Sequence, residues 1–160
     1  MQTKKESVTM KWVTRESVRV DRVSSSWLIL GFADPEAEIL YVPGDQVLAV
    51  AEREGAIPFD VPGVEMGHHG EKCSFEAILE KYGPKDPALE RVGLIVRGAD
   101  TKDKDATPES RGLDALANGF KKMMLAEGYD DRESIRRQWR MYNAFYVFCG
   151  GDPANAPEPK

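Results

Sequence analysis

The densest run of chemically useful side chains is residues 63–75, GVEMGHHGEKCSF, which holds both histidines of the chain and one of its two cysteines. Glu65, His68, Glu71 and Cys73 are all metal-ligand types. A zinc site takes three or four N, S or O donors, and this spacing matches no zinc signature. Neighbours in an extended segment point to opposite faces, so His68 and His69 are not expected to share an ion. One reading is a metal or oxyanion site built on His68, with Glu65 or Cys73 helping. The plainer reading is a glycine-flanked turn leading into a helix capped by Ser74. Cys73 lies just before that cap, where the partial positive charge of a helix start lowers a thiol pKa, which makes it the candidate catalytic or redox thiol. A small buried core residue is the alternative.

Two further polar islands stand out. In residues 18–27, VRVDRVSSSW, Asp21 and Arg22 precede three hydroxyls. Arg22 beside Ser24 and its neighbours, at the expected start of a helix, resembles an anion cradle; an internal salt bridge with an N-cap fits the residues equally. In residues 95–100, IVRGAD, an apolar helix is expected to end at Arg97-Gly98 with Gly98 left-handed. Asp100 could then pair with Arg22, and Arg97 with Asp21, or Asp100 could simply open the solvated loop TKDKDATPESRG. That loop lacks the spacing and fixed glycine of an EF-hand, so calcium binding there is rejected. No P-loop, GxGxxG, GxSxG or HExxH motif is present. Metal candidates are therefore His68, Glu65, Asp21 and Asp100, for at most one divalent ion; ligand-binding candidates are Asp21, Arg22, Ser24, Arg97 and Asp100.

The elements that must position these islands follow from periodicity. Residues 8–14 and 37–42 and the short IPFDV read as strands. Helices are expected from Ser24 to Phe32, from Asp45 to Gly55, from Ser74 to Tyr82, from Asp86-Pro87 to Arg97, along the Leu113–Met124 stripe, and from Asp131 to Cys149. Strand and helix do not alternate throughout, so the expected fold is α+β and helix-rich, with short strands in the N-terminal half and amphipathic helices packed in the C-terminal half. Residues 1–10 read as a frayed N-terminus, 11–150 as a single domain, and 151–160, rich in Pro, Gly and Ala, as a disordered tail.

The 160 residues carry a net charge of -5, which argues against a large nucleic-acid interface. Two cysteines make no disulfide framework, the N-terminus lacks a signal-like apolar run, and no segment has membrane-span length. A cytoplasmic protein without membrane insertion is expected. The Leu113–Met124 helix and the aromatic last helix could include a homo-oligomer face, although such stripes are more often core.

The islands also carry a resemblance. Lys11-Trp12-Val13-Thr14-Arg15, Val20-Asp21-Arg22-Val23 with Trp27-Leu28-Ile29, Asp34-Pro35-Glu36-Ala37, Ile57-Pro58-Phe59-Asp60, Gly63-Val64-Glu65, His68, Cys73-Ser74-Phe75, Asp86-Pro87-Ala88-Leu89 and Ile95 to Asp100 together resemble the chromate-resistance family of the ChrB C-terminal type, over about residues 11–150. The resemblance implies a domain that accompanies chromate efflux transporters. Some members are chromate-responsive regulators with an additional N-terminal region, and others are fused to rhodanese-like domains. This chain starts close to the domain itself, so direct nucleic-acid binding is not expected. It departs from the family pattern at Leu30 and Gly31, where basic residues are usual, and at Asn143, where Asp is frequent. Two functions follow as expectations. One is an accessory or sensor domain binding a small inorganic ligand, an oxyanion or a metal ion, at a composite Asp/Arg/His site. The other is a metal- or thiol-dependent enzyme using His68 and Cys73. A structural partner domain without a site of its own is the third reading.

Overall fold

Trp12 and Val13 are neighbours on one strand and therefore face opposite sides of it. That alternation organises the chain. The structure, a computed structural model, describes residues 10–160, so residues 1–9 of the expected frayed segment, which include Val8 and Thr9 of the first predicted strand, lie outside the described residues. Strand β1 (Lys11–Arg15) is central, with β2 (Glu38–Val42) on one side and β3 (Ile57–Pro58) on the other, both parallel to it. Parallel strands need crossover connections. The first contains helix α1 (Val20–Leu28) and a π-helical turn (Ile29–Ala33); the second contains helix α2 (Val47–Glu54). Val13 packs with Val47, Val50 and Ala56 beneath α2. Trp12 faces the main core, shared with α1, α3 (Ser74–Tyr82), α4 (Pro87–Asp100), α5 (Ser110–Glu127) and α6 (Asp131–Phe148). The fold is the helix-rich α+β arrangement expected.

Most helix ends sit where local signals placed them. Gly55 and Gly128 adopt the left-handed conformation that closes α2 and α5. Asp86 caps α4 by accepting from Ala88 N–H, with Pro87 in the first turn. Three expectations are corrected. Helix α1 starts at Val20, so Ser24, Ser25 and Ser26 lie inside it rather than at its cap. All three are buried, and Ser24 and Ser26 donate to the backbone carbonyls of Asp21 and Arg22. Helix α4 does not stop at Gly98 but continues to Asp100, because Gly98 lets the start of α5 approach: a Cβ there would lie 2.7 Å from Ser110 Cβ. The stripe on α5 is only partly core, since Leu113, Ala117 and Met124 are buried while Leu116 and Met123 are exposed.

The segment expected to be a disordered tail forms a short 3-10 turn (Pro153–Asn155) and docks on α6. Pro157 carbonyl accepts from Trp139 Nε1 at 2.7 Å and from Asn143 Nδ2 at 2.9 Å. A Cβ on Gly31 would fall 2.6 Å from Pro157 Cγ. Two of the positions where the chain departs from the family pattern thus meet at one proline. Glycine makes room for it, and asparagine supplies a donor that aspartate lacks.

Candidate metal centre

A helix start exposes backbone N–H groups that attract an anion. At α3 that anion is the protein's own Asp21. Its Oδ2 accepts from Ser74 N–H at 2.9 Å and its Oδ1 from Phe75 N–H at 3.0 Å, while Ser25 Oγ donates to Oδ1 at 3.3 Å. Asp21 sits in the first turn of α1 and is 1% exposed. The N-cap of α3 is Cys73, one residue before the predicted Ser74, with Glu76 reaching back to Cys73 N–H.

Into this corner the loop between β3 and α3 delivers His68. Gly63 and Gly70 take positive φ values there, conformations that glycine adopts without a Cβ penalty. His68 Nε2 lies 3.1 Å from Asp21 Oδ2, 3.1 Å from Asp100 Oδ2 and 3.3 Å from Asp60 Oδ1. Asp100 is the last residue of α4, where a negative charge opposes the helix dipole. Asp60 directly follows the Ile57-Pro58-Phe59 stretch at a positive φ of 52°. It accepts from Ser74 Oγ at 3.1 Å and from Arg22 Nη1 at 3.2 Å.

The electrostatics are those of crowded carboxylates. Burial, then the charge of Asp21, pushes Asp60 up to about 6 and raises Asp100 by the same causes. The hydrogen bond to Asp21 leads the interactions that push His68 up to about 9. Yet a single Nε2–H can point at only one of the three oxygens.

Asp21 Oδ2, Asp100 Oδ2 and His68 Nε2 fit a cation instead. One ligand atom from each lies within 4.8 Å of the others. Donors about 2.1 Å from an ion at adjacent octahedral positions are separated by about 3 Å, close to the 3.1 Å between His68 Nε2 and each of the two carboxylate oxygens. Two carboxylates and one imidazole suit Mn²⁺, Fe²⁺ or Zn²⁺ better than a soft ion. The ion would neutralise the corner and leave open positions for water or ligand.

The other candidates divide plainly. Glu65 points away and pairs with Lys81 at 2.8 Å. His69 Nε2 contacts the Glu65 carbonyl at 2.7 Å, apart from His68. Arg97 does not meet Asp21; it holds Glu76 through two parallel bonds, because α4 continues past Gly98 and its preceding turn faces α3. Arg22 pairs with Asp60 rather than Asp100. Ser24 is tied to the α1 backbone. Cys73 is fully buried, and desolvation followed by the charge of Asp21 raises its pKa, so the helix-start effect that would have made it a thiolate does not prevail. The composite anion cradle of Arg22, Arg97 and Ser24 is therefore not assembled.

Asp60, Arg15 and Arg19 were not singled out as site residues. Their signal is positional: each lies at or just after the carboxyl end of β1 or β3. In a sheet of order β2-β1-β3 the chain passes from β1 to the strand on one side and then crosses over to the strand on the other, and the crevice outside the strand ends at such a reversal is where open parallel sheets bind ligands. The cavity there, about 520 Å³, is lined by Arg15, Arg19, Arg22, Asp60, His68 and Asp100, with Asp21 at its floor.

Comparison with known proteins agrees with the resemblance. The family model described as ChrB, C-terminal domain, matches residues 12–149. Protein ChrB of Cupriavidus metallidurans (strain CH34) is 32% identical over 117 residues, which cover 71% of this chain and 34% of that protein. The chain thus spans about a third of the length of that relative. No solved structure is significantly similar. Among the described residues, no helix is long and apolar enough to cross a membrane. On the match across nearly its whole length, the chain belongs to the ChrB C-terminal domain family.

Proposed function

We propose that this chain is a chromate-resistance accessory or sensor domain that works through one divalent cation held by Asp21, His68 and Asp100. One observation carries the reading: a single imidazole nitrogen lies within 3.3 Å of carboxylate oxygens from three separate segments. A lone Nε2–H bonds only one of those oxygens, whereas a dication bonds oxygens of Asp21 and Asp100 at once. The preorganisation of Asp21 by two backbone donors supports it, because ligands locked by their own hydrogen bonds hold a metal better. The thiol-dependent alternative loses support, since Cys73 is buried and its pKa is raised. An enzymatic role would have to run through the same ion, activating water at an open position.

The test is elemental analysis of protein purified without a histidine tag, followed by titration of the metal-free protein with Mn²⁺, Fe²⁺ and Zn²⁺. About one equivalent in the wild type, lost in His68→Ala and in Asp100→Asn, is the expected result. Absence of metal in the wild type and of any binding in titration would overturn the reading. Growth on chromate of cells expressing wild type or Asp100→Asn then links the centre to resistance, with protection expected only from the wild type.

A further inference from the structure

The cavity over the metal centre has an arginine wall with no partner for all of its charge. Arg15 ends β1, and among the described residues it forms no ion pair. Arg22 gives Nη1 to Asp60, and its Nε is buried without a hydrogen-bond partner. Arg22 Nη2 and Lys121 Nζ converge on one carbonyl, that of Ser17, at 3.2 Å and 3.3 Å. Arg19 is held at the rim by Asp114 and Asn118. Burial, then the nearby Arg22 and Arg19, depresses the Lys121 ammonium, as expected where positive charge is crowded.

The charges of the lining decide what this wall is for. Three arginines face three aspartates, Asp21, Asp60 and Asp100. Asp114 already offsets Arg19, so with no ion present Arg15, Arg22 and a protonated His68 balance the three aspartates. A divalent cation in place of that proton leaves one positive charge over, with one wall carrying guanidinium donors that match oxyanions in geometry. We infer that the metal-loaded cavity binds a tetrahedral dianionic oxyanion group, carried free or at the end of a small organic molecule, with the cation and Arg15 and Arg22 as its partners. This inference rests on the cation reading above. The cavity volume is in the range of pockets that hold organic ligands, which leaves space for such a molecule against Val61, Pro62 and Gly63.

The distinctive consequence is coupling. The anion must bind better to the loaded protein, and by linkage the same anion must tighten the metal by the same factor. The probes are Mn²⁺, inorganic phosphate and phenyl phosphate, by calorimetry at fixed ionic strength and pH 7.5. Mn²⁺ is titrated first without anion, then each anion into metal-free and loaded protein. Phosphate or phenyl phosphate is expected to bind at least tenfold tighter to the loaded form, and Arg15→Ala to lose about tenfold of that affinity. Phenyl phosphate binding well above inorganic phosphate assigns an organic carrier; equal affinity assigns the free anion. Protein that binds Mn²⁺ but takes neither anion, or takes them equally without the metal, or is unaffected by Arg15→Ala, overturns this inference alone. Protein that binds no Mn²⁺, Fe²⁺ or Zn²⁺ overturns the cation reading and this one with it.

Discussion

Replacing Asp21 with Asn separates two tasks that one carboxylate performs. As an anchor, it accepts the N–H groups of Ser74 and Phe75 at the buried start of α3. As a ligand, it lies 3.1 Å from His68 Nε2. Asparagine keeps one oxygen, so one of the two buried donors loses its acceptor, at a cost of about 1–3 kcal/mol. Loss of the negative charge at a helix start adds up to about 2 kcal/mol. Relief of repulsion works the other way. Unit charges no more than 4.8 Å apart repel by at least about 3.5 kcal/mol at an effective dielectric of about 20, and protonated His68 already offsets most of that. The net expectation for metal-free Asp21→Asn is a loss of about 1–3 kcal/mol. Asp100→Asn is the contrast, because Asp100 opposes its helix dipole and, unlike Asp21, anchors no backbone donor in the corner, so metal-free stability should change by less than about 1 kcal/mol. Both variants should lose the stabilisation by metal, which for the wild type is about 2.7 kcal/mol at a hundredfold excess over Kd. The assay is urea denaturation at pH 7, once with chelator and once with Mn²⁺. If Asp21→Asn matches the wild type in chelator, Asp21 does not anchor α3. If Asp100→Asn keeps the gain from Mn²⁺, the ion is held elsewhere.

Three other outcomes follow from the same structure. His68 is raised to about 9, so its contribution to metal-free stability is complete below its unfolded value of about 6.5 and is lost as pH rises through about 9; Asp60, raised to about 6, has the same sign over a lower window. Stability in chelator should therefore fall between pH 6.5 and 9, with His68→Ala flattening that limb, as read by urea midpoints across pH. Cys73 should react with a thiol reagent only as fast as the protein opens, and rapid labelling of the native state would contradict its burial. Asn143→Asp, which installs the family's frequent residue, places an acceptor against the Pro157 carbonyl; a loss of about 1–3 kcal/mol with a change in Trp139 fluorescence is expected, and a thermal midpoint equal to the wild type would show that the tail contact contributes nothing.

Much of the fold could be read from the chain because helix ends are local. Asp86-Pro87, Gly55 and Gly83 act through backbone groups within a turn of themselves, and they mark those ends in the structure as they did in the sequence. The failures are local signals overruled by packing. Ser24 to Ser26 read as a cap, but small hydroxyls are also what lets α1 sit among four other helices, bonded to its own backbone. Gly98 read as a stop, but its missing Cβ admits Ser110, and the extra turn of α4 is what carries Asp100 to His68.

The same division holds for the site. Residue types alone marked His68, Asp21 and Asp100 as possible ligands, because an imidazole and carboxylates are what a divalent ion takes. They could not say that Arg97 would turn to Glu76, that Glu65 would face solvent beside Lys81, or that Asp60 would be the third carboxylate at the imidazole. Those outcomes depend on which strand ends share a crevice and how far α4 extends. A side chain's chemistry is set by its own atoms, whereas its partner is set by the packing of elements distant in sequence.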